Sequence, residues 1–221
     1  MKCHICSEEC TEFTVERKRW KRRYHSCPRC EYIFMDEEDL LSGAEELARY
    51  EEHNNSVEDE GYREYFKRFI EYSMEGVVME AQILDYGSGP QPVLASVMEE
   101  VGFTNVDIYD KYFTEGSLDP EKRYSVIIST EVVEHIYRPM EVFRELTGRL
   151  LPGGRLIIMT AFHPKSEEEF GKWWYINDPT HVVFYTIKTL EYIGEQLGLV
   201  VEKNNNKNIV VFRREADEEV Y

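Results

Sequence analysis

Residues 81–90, Ala-Gln-Ile-Leu-Asp-Tyr-Gly-Ser-Gly-Pro, constrain the fold more than any other stretch. A short apolar run ends in two glycines, which permit φ values or close backbone approaches closed to other residues. Helical spacing then resumes with Val93, Leu94, Val97 and Met98. A buried strand running through a glycine turn into a helix can present backbone amides to the polar or anionic part of a ligand. Read alone, the same turn also fits a plain tight connection.

The strand, turn and helix pattern then repeats. Residues 106–110 read as a second strand ending in Asp110, 25 residues beyond Asp85. An acid at that distance can accept hydrogen bonds from both ribose hydroxyls of a nucleotide. Residues 111–122 are polar, so any third strand there is abbreviated. Residues 124–129 form the clearest buried strand, residues 138–150 an amphipathic helix, and residues 155–160 another strand after Pro152-Gly-Gly. This alternation predicts an α/β, doubly wound, Rossmann-like sheet with right-handed crossovers. Residues 186–197 read as a helix stopped by Gly198, and residues 199–214 as an antiparallel hairpin that closes the sheet.

All five cysteines lie in the first 30 residues: Cys3, Cys6, Cys10, Cys27 and Cys30. Two Cys-x-x-Cys pairs 20 residues apart suit a tetrahedral thiolate site for structural zinc, made by Cys3, Cys6, Cys27 and Cys30. Cys10 is left over, and His4 and His25 are read as supporting or surface residues. So small a zinc ribbon has too few apolar residues to fold without its metal. Between the knuckles, Arg17, Lys18, Arg19, Lys21, Arg22 and Arg23 alternate with aromatic residues. Three readings stay open for this basic hairpin, residues 17–23: contact with RNA or another phosphate-bearing or protein partner, docking on the acidic remainder of the chain or of a homodimer twin, or a solvated face.

The formal net charge of −17 over 221 residues argues against wholesale wrapping by nucleic acid. No apolar run reaches the roughly 20 residues of a membrane helix, and the N-terminus lacks the apolar core of a signal peptide, so a cytoplasmic location is expected. The domains expected are a ribbon at 1–35, a helical connector or lid at 36–80, a catalytic-sized unit at 81–215 and an acidic tail at 216–221. Within the connector, residues 40–50 read as helix and 54–60 as a polar loop. Residues 61–79 are amphipathic through Tyr62, Tyr65, Phe66, Phe69 and Ile70, which fits either a helix packed on the next domain or a lid over a substrate pocket.

From residue 81 to 213 the chain resembles the class I S-adenosylmethionine-dependent methyltransferases, especially the small-molecule and ubiquinone-biosynthesis-like group. The resemblance rests on Asp85-Tyr-Gly-Ser-Gly89, on Asp110, on residues 124–135 with their Glu131-x-x-Glu134-His135 ending, and on the Pro-Gly-Gly turn. It implies S-adenosyl-L-methionine as cofactor. Gly87 and Gly89 would lie beneath its methionine part, Asp85 near its amino group and Asp110 on its ribose, with Glu131 also on the cofactor side. Leu118 is the counterpart of an adenine contact. Two departures stand out: Pro90-Gln-Pro92 replaces the usual third glycine, and the segment after the third strand is short.

The resemblance also places the acceptor under residues 161–185, an aromatic-rich connection with Trp173, Trp174, Tyr175 and an Asp178-Pro-Thr-His181 run. His135 and His181 are the candidates for catalytic proton transfer, and Trp173, Trp174, Tyr175 and His181 for acceptor binding. The implied reaction is methyl transfer by direct displacement, with a small-molecule acceptor favoured. Ser129 to Val132 stand where enzymes that methylate exocyclic amines of nucleic-acid bases carry Asn/Asp-Pro-Pro-Tyr. The alternative is a catalytically inactive methyltransferase-like scaffold, or an RNA- or protein-binding module.

Overall fold

The computed structural model describes residues 1–51 and 59–216. Most of the polar loop expected at 54–60, and the acidic tail beyond Ala216, lie outside the described residues.

Strands β1 (Thr11–Arg17) and β2 (Trp20–Ser26) form an antiparallel hairpin turning at Lys18-Arg19, with β3 (Ile33–Met35) paired on β2. Helices α1 (Gly43–Glu51) and α2 (Glu60–Ser73) follow, α2 being capped by Asp59, which accepts from the Tyr62 amide. The main unit runs β4 (Ile83–Tyr86), α3 (Val93–Glu100), β5 (Val106–Tyr109), β6 (Tyr124–Thr130), α4 (Pro139–Arg149) and β7 (Leu150–Met159). Helix α5 (Glu167–Lys172) and the short strand β8 (Val183–Phe184) lead to α6 (Ile187–Leu197), β9 (Leu199–Asn204) and β10 (Ile209–Arg214).

The large sheet has the order β5-β4-β6-β7-β10-β9. Its first four strands are parallel, and β10 and β9 close it antiparallel, which is the doubly wound sheet with a terminal hairpin. Among the described residues no strand forms between β5 and β6. Residues 111–122 carry too little apolar surface to be buried on both faces, as a parallel strand must be.

Period-two alternation sorts the sheet's side chains onto two faces. Leu84, Ile127, Leu156, Ile158, Val210 and Phe212 face α4 and α6, whereas Ile83, Val126, Ile128, Ile157, Met159 and Val211 face α2 and α3. Each fully buried aliphatic or aromatic side chain stabilises the fold by roughly 1.5–3 kcal/mol, so loss of either helical layer would expose more than the marginal stability of a domain can bear. Phe66, Phe69, Ile70 and Met74 of the connector are buried in the second layer, so α2 is a packed helix of the main unit.

The ribbon is less separate than a boundary at residue 35 suggests. β8 pairs with β3 (Ile33↔Phe184, Phe34↔Val183), giving a four-stranded sheet of order β1-β2-β3-β8. Phe13, Tyr24, Phe34 and Met35 share one apolar cluster with Phe170, Tyr175, Phe184 and Leu190. Tyr24 meets the ring of Phe170 edge-on at 5.1 Å. The physical reason is size: the apolar surface of so small a ribbon is too little to be buried against itself.

Candidate functional site

A cavity of about 870 Å³ opens at the carboxyl ends of β4, β5 and β6. This is the edge where open parallel sheets take their ligands. The turn after β4 is held by the Gly87 and Ser88 amides, which donate to the Tyr109 carbonyl at 2.7 and 3.1 Å. Gly87 (φ +82°) has a second constraint, because an added Cβ would lie 2.2 Å from Val132 Cγ2. Gly89 (φ +69°) has open space around it, so only its backbone conformation calls for glycine. Pro90-Gln-Pro92 then leads into α3, whose first turn has no side-chain cap.

Asp85 and Asp110 flank this turn. Asp85 is 1% exposed, and its Oδ2 has no hydrogen-bond partner. Burial, reinforced by the neighbouring Asp110, pushes its carboxyl up to about 7. Asp110 accepts from the Gly89, Tyr112 and Phe113 amides at 3.0, 2.8 and 3.3 Å, tying the glycine turn to the end of β5. A carboxylate has about four acceptor positions, so capacity for a hydroxyl remains.

The opposite wall comes from the end of β6 and residues 174–181. Glu131 follows β6 with φ +54°, a conformation that costs a non-glycine residue about 1 kcal/mol or more. The Tyr175 hydroxyl donates to Glu131 Oε2 at 2.8 Å and lies 2.5 Å from Glu134 Oε1. Glu134 is fully buried, its other oxygen has no hydrogen-bond partner, and burial together with Glu131 holds its carboxyl well above the ordinary range. His135 Nδ1 donates to the Thr180 carbonyl and His181 Nδ1 to that of Tyr175, each at 2.9 Å. These bonds make Nε2 the accepting nitrogen of each neutral ring. The two rings stand 4.8 Å apart, edge to face. One ligand atom from each of Glu134, His135 and His181 lies within 4.8 Å of the others, so the cluster can either hold a divalent cation or hand on a proton.

Most residues expected in the site meet there. Asp85, Gly87, Gly89, Asp110, Glu131, His135, Trp174, Tyr175 and His181 all line the cavity. Glu131, expected on the cofactor side, is bonded to Tyr175, expected on the acceptor side. Two residues are placed otherwise. Leu118 packs against the apolar cluster and does not line the cavity; Tyr112 and Phe113 do, because the chain turns straight after Asp110 instead of forming a third strand. Trp173 does not line the cavity and packs tilted on Phe170 and edge-on to Phe184, while the neighbouring Trp174 is 68% exposed at the cavity mouth.

Sequence reasoning missed the pair formed by Arg49 of α1 and Asp178, 3.4 Å apart, both lining the cavity. Thr180 donates to Asp178 from its hydroxyl and its amide, and these bonds outweigh burial to hold that carboxyl down at about 2. The Asp-Pro-Thr-His run was the available signal. Tyr62 and Phe66 also reach the cavity, so α2 both packs on the sheet and supplies part of the cavity wall.

In the ribbon, the sulfurs of Cys3, Cys6, Cys27 and Cys30 all lie within 4.8 Å of one another, with Cys3–Cys30 at 3.6 Å and Cys6–Cys27 at 3.4 Å. Tetrahedral zinc with bonds near 2.3 Å separates its sulfurs by about 3.8 Å, so the donor set fits such an ion. The two knuckles match: Ser7 and Glu31, one residue past each second cysteine, both adopt positive φ. Cys10 Sγ points to the Glu8 carbonyl and is outside the four-sulfur group, although close enough to Cys27 to interact with it. Four of the six basic hairpin residues are engaged within the chain, Lys21 through an exposed pair with Glu16 at 3.8 Å. Arg17 donates to the Gly171 and Trp173 carbonyls, Arg22 to that of Ile176, and Arg23 pairs with Asp36, Glu38 and Asp39.

This architecture is shared with known proteins. A methyltransferase-domain family matches residues 46–204, most of the chain and including the helical connector from within α1. The chain belongs to that family. Among solved structures, an O-methyltransferase family protein from Burkholderia thailandensis is similar at a TM-score of 0.52 and 14% identity, over 78% of this chain and 64% of that one. The YcgJ protein from Bacillus subtilis is similar at 0.50 and 13%, over 70% of this chain and 99% of that one. The [4+2]-cyclase SpnF is similar at 0.50 and 13%, over 76% and 86%. At these identities the likeness is one of fold. No curated protein matches the chain by sequence. Among the described residues, no helix is long and apolar enough to cross a membrane.

Proposed function

We propose that the protein transfers a methyl group from S-adenosyl-L-methionine to a small-molecule acceptor, and that zinc holds its N-terminal ribbon. The observation that carries this reading is Asp85: a buried carboxylate with an unpartnered oxygen, beneath a glycine turn, with Asp110 at the next strand end. An ammonium group beside Asp85 would supply the missing partner and restore its charge, and Asp110 keeps capacity for a ribose hydroxyl. Lys111, Tyr112 and Phe113 would then border the far end of the cofactor. When bound, that cofactor supplies an electrophilic methyl group.

The chain's own contribution is alignment and proton management. Trp174, Tyr175 and His181 border the acceptor space, and Tyr175 fixes both Glu131 and Glu134. With Nδ1 committed to a carbonyl, Nε2 is the accepting nitrogen of His135 and His181, the atom that would take a proton from an acceptor hydroxyl or amine. The cyclase among the fold relatives supports weighing chemistry other than methyl transfer on this scaffold. An RNA or protein acceptor would draw on Lys18 and Arg19, which are exposed at the hairpin tip.

Titration calorimetry with S-adenosylmethionine tests the proposal. Micromolar binding that is lost in Asp85→Ala and weakened in Asp110→Ala is expected. No binding by folded protein would overturn the methyl-transfer reading and favour the inactive scaffold.

A further inference from the structure

We propose that the ribbon is the positioning element of the acceptor wall: zinc in the four-cysteine site sets residues 163–185 in place, while the cofactor side stands without it. The inference rests on the zinc reading above and goes beyond it.

Each part of the ribbon grips a different point of the acceptor side. The second knuckle holds both ends of the segment. His163 Nε2 lies 2.7 Å from the Glu31 carbonyl, the Thr186 hydroxyl donates to Glu31 Oε2 at 3.1 Å, and the Thr189 hydroxyl donates to the Cys30 carbonyl at 2.8 Å. The hairpin holds the middle, through Arg17 to the Gly171 and Trp173 carbonyls and Arg22 to the Ile176 carbonyl, at 2.9 to 3.0 Å. β3 pairs with β8 just beyond His181. The first knuckle reaches the neighbouring wall, where His4 Nδ1 donates at 3.0 Å to the carbonyl of Tyr137, a cavity residue two beyond His135.

These contacts flank Trp174, Tyr175 and His181 on both sides in the chain. Residues 173–182 contain one short 3-10 turn, Trp174–Asn177, and otherwise little regular structure of their own. Their backbone carbonyls at 171, 173 and 176 are satisfied by ribbon guanidinium groups, so the segment's order depends on where those arginines are held. The hairpin in turn is anchored by the knuckles. By contrast, Asp85 lies in β4, and Gly87, Gly89 and Asp110 follow β4 and β5; β4 is paired on both sides, with β5 and with β6. Zinc loss is therefore transmitted to one wall of the cavity and not to the other.

The test uses the full chain, with bound zinc quantified, hydrogen exchange followed by peptide, and S-adenosylhomocysteine affinity read by calorimetry. In Cys27→Ser, loss of zinc should speed exchange across 163–185 by about ten-fold or more, leave residues 83–100 protected, and change the affinity by less than about three-fold. In Arg17→Ala/Arg22→Ala, zinc should stay bound while exchange rises at 171–176, and Arg22→Lys alone should restore protection near 176. Unchanged exchange at 163–185 after zinc loss would overturn the proposal, as would an equal collapse of homocysteine-ligand binding. If Cys27→Ser unfolds globally, the arginine variants decide, and no rise at 171–176 overturns the coupling. Wild-type protein free of zinc would overturn the zinc reading itself, whereas a rise at 171–176 in its arginine variant would still support ribbon-directed positioning.

Discussion

The Asp85 carboxyl, raised to about 7 by burial and by Asp110, gives the ligand-free protein a pH signature. An aspartate in an unfolded chain titrates near ~3.9, so between about 4 and about 7 the folded state binds more protons than the unfolded one. Stability from this group is therefore complete below about pH 4 and is lost as pH rises through about 7. Thermal melts should show the Asp85→Asn variant gaining stability over wild type at pH 8 and losing that advantage near pH 4. The same variant should bind S-adenosylmethionine at least about ten-fold more weakly, since a neutral amide attracts an ammonium less than a carboxylate does. At Gly87, a methyl group would meet Val132 and force a left-handed alanine. Gly87→Ala should lower stability by about 1–3 kcal/mol in urea titrations, and Val132→Ala should recover only the steric part. Asp85 and Gly87 were legible in the sequence because strand end and turn are set within a few residues of one another, and Asp110 because it ends the next strand, 25 residues on. Leu118, read as the counterpart of an adenine contact in a shortened segment, does not line the cavity, because the chain turns straight after Asp110 and brings Tyr112 and Phe113 there.

Helix α6 illustrates what element-scale signals can and cannot carry. Its start is a capping box, Thr186 accepting from the Thr189 amide and Thr189 reaching back, and its end is Gly198 in the left-handed region. Both ends could be read from residue type and spacing. Thr186→Ala should destabilise the protein by about 1–2 kcal/mol in chemical denaturation, since the substitution removes a cap and the bond to Glu31 together. β8 was not legible, because a two-residue strand has no periodicity and exists only through β3, some 150 residues earlier in the chain. Trp173 and Trp174 show the same limit: adjacent and identical, they have different surroundings, and only the packing of Phe170 and Phe184 decides which is half-buried.

At the scale of the whole molecule, the excess of acidic residues leaves a net charge of −17 that compaction brings together. Screening relieves that repulsion, so raising sodium chloride from about 10 to about 200 mM should raise the melting temperature by a few degrees. A fall instead would mean that ion pairs such as Arg49–Asp178 and Arg23 with its three acids outweigh the general field. The alternation of strand and helix made the doubly wound sheet legible, whereas the fusion of ribbon and sheet into one apolar cluster was not, since it arises from contacts between distant parts of the chain. That fusion also has a colloidal side. β8 occupies the edge of β3, whose three residues Ile33-Phe34-Met35 are otherwise an open row of backbone donors and acceptors beside apolar side chains. An edge of that kind is a template for pairing with another molecule. The two residues of β8 thus act as a guard against self-association, and a chain in which they detach would be removed from solution by its own kind before its chemistry failed.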